Sequence, residues 1–308
     1  ERYGSTGVEQ VAGSALSGVT TDAAHMGPLR TLLRADAGYD VRLTVDAELS
    51  ETAWHALGER RGAVVVMNAE TGAILTMVSA PSFDPATAEQ NWDELTARAD
   101  SPLLNRATHG LYPPGSTFKI ASMMVALEDG ICTPESPIDV GNGTYKFNGR
   151  TIRDHNAQSG GYGTITVAQS IWYSSNVSIA KIVLKGYGNN PRKFIDGLHR
   201  TGIDADLNLD IAGAGHAKIR QPGDPQWSRM TLPWMSFGYE VQIPPINTLA
   251  FFNAIANNGR LMRPMFVKSI LKNGKELRVY EPEVLIPEIC SKRTLKAVQE
   301  MMYNVVNH

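Results

Sequence analysis

Pro113-Pro114-Gly115-Ser116-Thr117-Phe118-Lys119 is the stretch on which the reading of this chain turns. Two prolines and a glycine suit a turn and not a helix interior. Ile120, Met123, Met124 and Leu127 follow at helical spacing, which predicts a helix starting near Ser116. Side chains three apart share a helix face, so the Lys119 amine can approach the Ser116 hydroxyl. A serine hydroxyl attacks poorly until its proton is removed, and a neutral amine can remove it. Lysine ordinarily titrates near ~10.4. Bringing it to about 7 costs roughly 4–5 kcal/mol, and burial or nearby positive charge pushes that way. The unpaired N–H groups of a helix start favour developing negative charge and can hold an oxyanion.

Spacing alone is weak, because Ser-x-x-Lys occurs three times: Ser116/Lys119, Ser178/Lys181 and Ser269/Lys272. The second copy lies within an apolar helical run, where Lys181 is expected to snorkel to water. The third lies in an alternating, strand-like stretch before Asn273-Gly274, a hairpin signal. Only the first has the Pro-Pro-Gly entry. Its plain reading is a helix cap with a solvated lysine. A second group, Ser174-Ser175-Asn176, sits on a predicted loop between helical runs. Ser174 can relay a proton, and Asn176 can hydrogen-bond the lysine or hold a peptide backbone. The plain alternative is that the three residues only cap the next helix.

Ser-x-x-Lys, then Ser-x-Asn, then Lys-Thr-Gly is the signature of penicillin-binding proteins and class A β-lactamases, and the first two stand here in that order. The chain resembles the transpeptidase region of class B penicillin-binding proteins, which crosslink bacterial peptidoglycan during division or elongation. Further matching stretches run from Arg2-Tyr3-Gly4-Ser5-Thr6-Gly7-Val8-Glu9 through strand-like 38–46, 62–68 and 71–79. Asn105-Arg106-Ala107, Ser236-Phe237-Gly238-Tyr239 and Asn253-Ala254-Ile255-Ala256-Asn257-Asn258-Gly259 continue the series. The resemblance implies Ser116 as the acylated nucleophile and Lys119 as its general base. Ser174 and Asn176 are then the second catalytic motif, and Ser116, Ser174 and Asn176 contact substrate. The implied substrate is the D-Ala-D-Ala end of a peptidoglycan stem peptide, and β-lactams would acylate the same serine. A membrane glycosyltransferase is the implied partner. Location at the extracytoplasmic face of the bacterial membrane follows, through an N-terminal anchor not in this sequence. No metal or organic cofactor is implied.

The third motif is missing. Arg200-Thr201-Gly202 comes too soon after Asn176 and reads as a helix stop with a basic last turn. The sequence ends in Met301-Met302-Tyr303-Asn304-Val305-Val306-Asn307-His308, which resembles the helix the family places shortly before that motif. The chain is therefore expected to be incomplete at its C-terminus. Residues 1–36, rich in Gly, Ser, Thr and Ala, are expected to be the remnant of an N-terminal pedestal or linker, and 37–308 the transpeptidase domain.

Composition fits a soluble globular chain of 308 residues, 43% hydrophobic and 19% charged, with net charge −2. That balance and the lack of a basic tract argue against nucleic acid as a partner. No apolar run reaches the ~18 residues of a membrane span. Cys132 and Cys290 do not make a disulfide framework, and whether they pair stays open. Strand signals at 38–46 and 62–80, a helix between them, helical patterns dominating 116–198, loops over 204–225 and strands at 266–270 and 277–280 predict an α+β fold. The resemblance implies the penicillin-binding-protein or serine β-lactamase-like transpeptidase fold, an antiparallel sheet with a mostly helical lobe, and the serine is expected at their boundary. Two competing readings remain. One is a class D-like serine β-lactamase or β-lactam sensor, which Tyr187-Gly188-Asn189 superficially suits although Lys185-Gly186-Tyr187-Gly188 reads as a helix end. The other is a non-catalytic scaffold of the same fold. Tyr239, Glu240 and Gln242 are candidates for shaping the cleft, with structural roles as the plainer reading.

Overall fold

A computed structural model describes residues 7–16, 38–211 and 213–307. Most of the expected 1–36 remnant lies outside the described residues. Its described part forms two short helices, Gly7–Val11 and Gly13–Leu16. The chain divides into two interleaved compact units. One comprises the chain up to Gly110 with Leu207–Gly215 and Met262–Leu285, and the other Leu111–Asp206, His216–Leu261 and the chain from Ile286.

The first unit carries a three-stranded sheet and a two-stranded one. Asp40–Leu43 pairs antiparallel with Val267–Lys272, which turns through Asn273-Gly274 into Lys275–Val279. Both turn residues have positive φ, 51° and 77°, the two-residue hairpin geometry that Asn-Gly favours. Gly62–Met67 pairs antiparallel with Ile74–Ala80, whose residues alternate between buried and half-buried as a one-sided strand requires. The Ala47–Leu57 helix is capped by the Asp46 carboxylate, which accepts from Leu49 N at 2.9 Å. Arg106 is 3% exposed and donates to the carbonyl oxygens of Asp100, Ser101 and Leu104. Asn105 Oδ1 accepts from Ala107 N at 3.0 Å. The Asn105-Arg106-Ala107 segment thus braces its own loop.

The second unit is built round the Lys119–Glu128 helix, whose residues from Lys119 to Leu127 are all buried. A helix apolar on nearly every side must be wrapped. Pro191–Thr201, Asn176–Tyr187 and Lys292–Asn307 supply the wrapping. Tyr187 fastens the far end, its hydroxyl donating to Asp129 Oδ2 at 3.0 Å and Val125 O at 3.2 Å. The expectation of helix throughout 116–198 fails between 137 and 166. There Pro137–Gly141 pairs with Gly163–Thr166, and Thr144–Phe147 with Arg150–Arg153. Val140, Ile152 and Ile165 from these strands close over Val177, Ala180 and Phe237. The α+β class stands, with the helical unit carrying small sheets of its own. Among the described residues no helix is long and apolar enough to cross a membrane.

Candidate active site

The loop before Ser116 is held by backbone pairing with a later segment of the same unit. Tyr112 and Ile243 exchange both hydrogen bonds, at 3.3 and 2.9 Å, and Gly115 N donates to Gly238 O at 3.1 Å. Gly238 has φ 88°, and a Cβ there would lie 2.0 Å from Gly115 O. Only glycine lets the two chains come this close. Ser122 Oγ adds a bond from the next helical turn to Ser236 O, 2.8 Å. The helix opens as a tight 3-10 turn, Gly115–Phe118, before the α-helix takes over at Lys119. Ser116 is exposed on that turn, whereas Phe118 and Lys119 are 1% and 2% exposed.

The Lys119 amine does not point to bulk water. Nζ donates to Ser174 O at 2.5 Å and to Ser174 Oγ at 3.0 Å. Burial lowers its pKa to about 8, against the opposing pull of the Asp154 carboxylate. About a tenth of the amine is then neutral at pH 7, against well under a thousandth for an ordinary lysine. Both hydrogen bonds of the amine go to the Ser174 loop and neither to Ser116. The i, i+3 relation on a 3-10 turn sets the two on one face, and catalytic hydrogen bonds commonly tighten only when substrate arrives.

Ser174 has φ 50°, left-handed backbone that a side-chain-bearing residue adopts only when its surroundings hold it there. Ser174 N and Ser175 N bond to Ile171 O and Ser170 O, each at 3.0 Å. Ser175 caps the Asn176–Tyr187 helix, its Oγ accepting from Ser178 N at 3.1 Å. Capping therefore falls to Ser175 alone, and Ser174 is free to face the lysine. Both hydrogen bonds of the Lys119 amine go to Ser174, while Asn176 Nδ2 donates to Arg153 O at 2.9 Å. Asn176 ties the loop to the neighbouring strand instead.

The other sequence candidates separate cleanly. Lys181 is not merely snorkelled: Nζ donates to Asp139 O at 2.6 Å and lies 5.2 Å from the Tyr145 ring centre. Ser269 is fully buried and bonds to Glu276. Arg200-Thr201-Gly202 ends a helix, with Gly202 at φ 72°. Tyr187, central to the β-lactamase alternative, is wholly buried and committed to the helix end described above. Cys132 and Cys290 are free thiols, their pKa values pushed up to about 11 and about 12 chiefly by burial. Gln242 pairs with Lys218 and Glu240 with Arg220, while Tyr239 stays exposed. The residue sequence reasoning missed is Asp154, buried behind the Ser174 loop. Its signal was the Asn148-Gly149 turn one strand earlier.

The penicillin binding protein transpeptidase domain family matches residues 62–308, and the chain belongs to that family. It is 27% identical over 310 residues to a probable peptidoglycan D,D-transpeptidase, PbpC, of Pseudomonas aeruginosa, covering 98% of this chain and 49% of that protein. It is 29% identical over 298 residues to the peptidoglycan D,D-transpeptidase PbpA of Mycolicibacterium smegmatis, covering 87% and 56%. The chain thus spans about half the length of the curated relatives it matches. The D,D-transpeptidase domain of a peptidoglycan glycosyltransferase from Eggerthella lenta superposes with a TM-score of 0.84 at 28% identity, over 100% of this chain and 72% of that one. A penicillin G acyl-enzyme complex of penicillin-binding protein A from M. tuberculosis shares the fold, with a TM-score of 0.80 at 23% identity, over 99% and 72%.

Proposed function

We propose that the protein is a serine-type peptidoglycan D,D-transpeptidase and a target of β-lactams. The observation that carries this reading is the buried, water-shielded Lys119 amine, held against Ser174 and one turn from the exposed Ser116 hydroxyl. Neutral Lys119 takes the Ser116 proton as Oγ attacks the carbonyl carbon of the penultimate D-Ala. Gly115 N is already bonded to Gly238 O, so oxyanion stabilisation from this loop falls to the amides after it. The C–N bond to the terminal D-Ala then breaks, and the proton passes from Lys119 through Ser174 Oγ to the departing amine. An amine from a neighbouring stem attacks the ester, its proton returns to Ser116, and the crosslink forms. A β-lactam ring amide enters by the first half of the same path. Asn176 serves by fixing the loop, with its carbonyl oxygen left for a substrate N–H.

Residues 1–36 are assigned to the remnant of an N-terminal pedestal or linker and 37–308 to the transpeptidase domain. The parent protein is placed on the extracytoplasmic side of the bacterial membrane, with a glycosyltransferase as partner. Intact-mass measurement after benzylpenicillin exposure of the full-length protein tests the central assignment. A stable adduct mapped to Ser116 and lost in Ser116→Ala is expected. Rapid release of the adduct marks a β-lactamase instead, and undiminished labelling of Ser116→Ala removes the assignment.

A further inference from the structure

We propose that Asp154 is a positioning residue of this acyl-transfer site, fastening the Ser174 loop from behind and so fixing where the Lys119 amine sits. The inference rests on the Ser116 and Lys119 roles given above. Asp154 is 4% exposed. A carboxylate so far from water needs strong partners, and it has two. Oδ2 accepts from Ser175 Oγ at 2.7 Å, and Oδ1 accepts from Val177 N at 2.9 Å. Val177 N lies in the first turn of the twelve-residue Asn176–Tyr187 helix, where the positive dipole end suits an anion. The same strand end supplies Arg153 O to Asn176. Residues 153 and 154 thus grip 175, 176 and 177 together, directly after the left-handed Ser174. That grip stops Ser174 from relaxing to an ordinary backbone conformation. Relaxation would carry its carbonyl and hydroxyl, the two acceptors of the Lys119 amine, out of place.

The carboxylate has a second effect through charge. Burial favours a neutral Lys119, while Asp154 favours the ammonium. Tyr162, stacked on Tyr173 beside the Ser174 loop, also senses this carboxylate, its pKa raised first by burial and then by the charges of Tyr173 and Asp154. Arg153 and His155 are exposed, with His155 within 3.2 Å of the Tyr162 hydroxyl. Glu128 lies at the opposite end of the lysine's own helix, bonded to Ser291. Asp154 therefore joins two settings of the site, where the loop stands and at what pH the amine gives up its proton.

Acylation by a fluorescent penicillin, followed against pH in the full-length protein, separates these effects. Asp154→Asn keeps an acceptor for Val177 N and removes the charge. Its midpoint is expected to move to lower pH, with a plateau rate about tenfold or more below the parent's. Ser175→Ala removes one of the two anchors without altering charge. It is expected to slow acylation while leaving the midpoint in place. An Asp154→Asn profile superimposed on the parent's overturns the proposal. So does an unchanged rate in Ser175→Ala, which stands as the test if Asp154→Asn does not fold. Labelling that persists in Ser116→Ala instead sinks the underlying nucleophile assignment and is read separately.

Discussion

Two helices of the same unit carry the same Ser-x-x-Lys spacing with opposite burial. Ser116 is exposed and Lys119 is 2% exposed; Ser178 is fully buried and Lys181 half-exposed. Lys119 spends its hydrogen bonds on a serine loop, Lys181 on a strand carbonyl and a tyrosine face. A nucleophile must be reached by substrate and its base must be kept from water. Only the first arrangement meets both demands. The motif lies in the spacing; the chemistry lies in which of the two residues the fold covers.

The largest effect that can break this contrast is removal of each hydroxyl. Ser116→Ala is expected to abolish covalent labelling by fluorescent penicillin, whereas Ser178→Ala retains it at near the parental rate. Next come the lysines. Lys119→Met should slow acylation about 100- to 10,000-fold, the usual worth of a positioned general base, while Lys181→Met changes it less than about threefold. Stopped-flow labelling rates for the two variants decide this. Equal losses would mean that burial does not distinguish the two copies.

The pH dependence sharpens the contrast further. In the proposed mechanism the reacting form of Lys119 is the neutral one, whose fraction rises with pH. With its pKa lowered to about 8, the acylation rate should climb about tenfold per pH unit below 8 and level off above it. A profile flat from pH 6 to 9 would remove Lys119 as the base. Lys181→Met should leave the midpoint where it was.

Much of this is legible in the sequence. The Pro-Pro-Gly entry and the apolar run after Lys119 are local signals, and the structure follows them closely. Asn273-Gly274 announced its hairpin in the same way. Asn148-Gly149 has the same turn chemistry, with φ 45° and 75°, yet its four-residue strands fall inside a stretch whose sequence pattern is mostly helical. Strands so short carry too little periodicity to stand out. The same shortness hides Asp154, whose partners lie on a loop about 20 residues later in the chain. Asn176 shows the opposite failure. Its motif position drew attention, but the destination of its amide is a tertiary fact. Residue types and order reveal which groups are present, while a long-range hydrogen bond is decided only by packing.

The smallest effect is the one that most directly tests the proposed source of Lys119's reactivity. A lysine whose pKa falls on folding is a charge the fold would prefer not to hold. Below pH 8 the folded protein must carry a buried ammonium, which costs stability. Between about 8 and about 10.5 the unfolded chain holds more protons than the folded one, so stability rises with pH and the cost disappears. Lys119→Met replaces the amine with an apolar side chain of similar length. It is expected to stabilise the protein by about 1–3 kcal/mol at neutral pH, even as it destroys acylation. The gain should shrink as pH rises through that window. Lys181→Met, which removes a partly exposed amine bonded to Asp139 O, is expected to cost up to about 1 kcal/mol instead. Thermal or urea unfolding at two pH values measures all four quantities. If Lys119→Met proves destabilising at neutral pH, then the amine's bonds to Ser174 outweigh its burial, and reactivity here does not arise from a strained, dehydrated base.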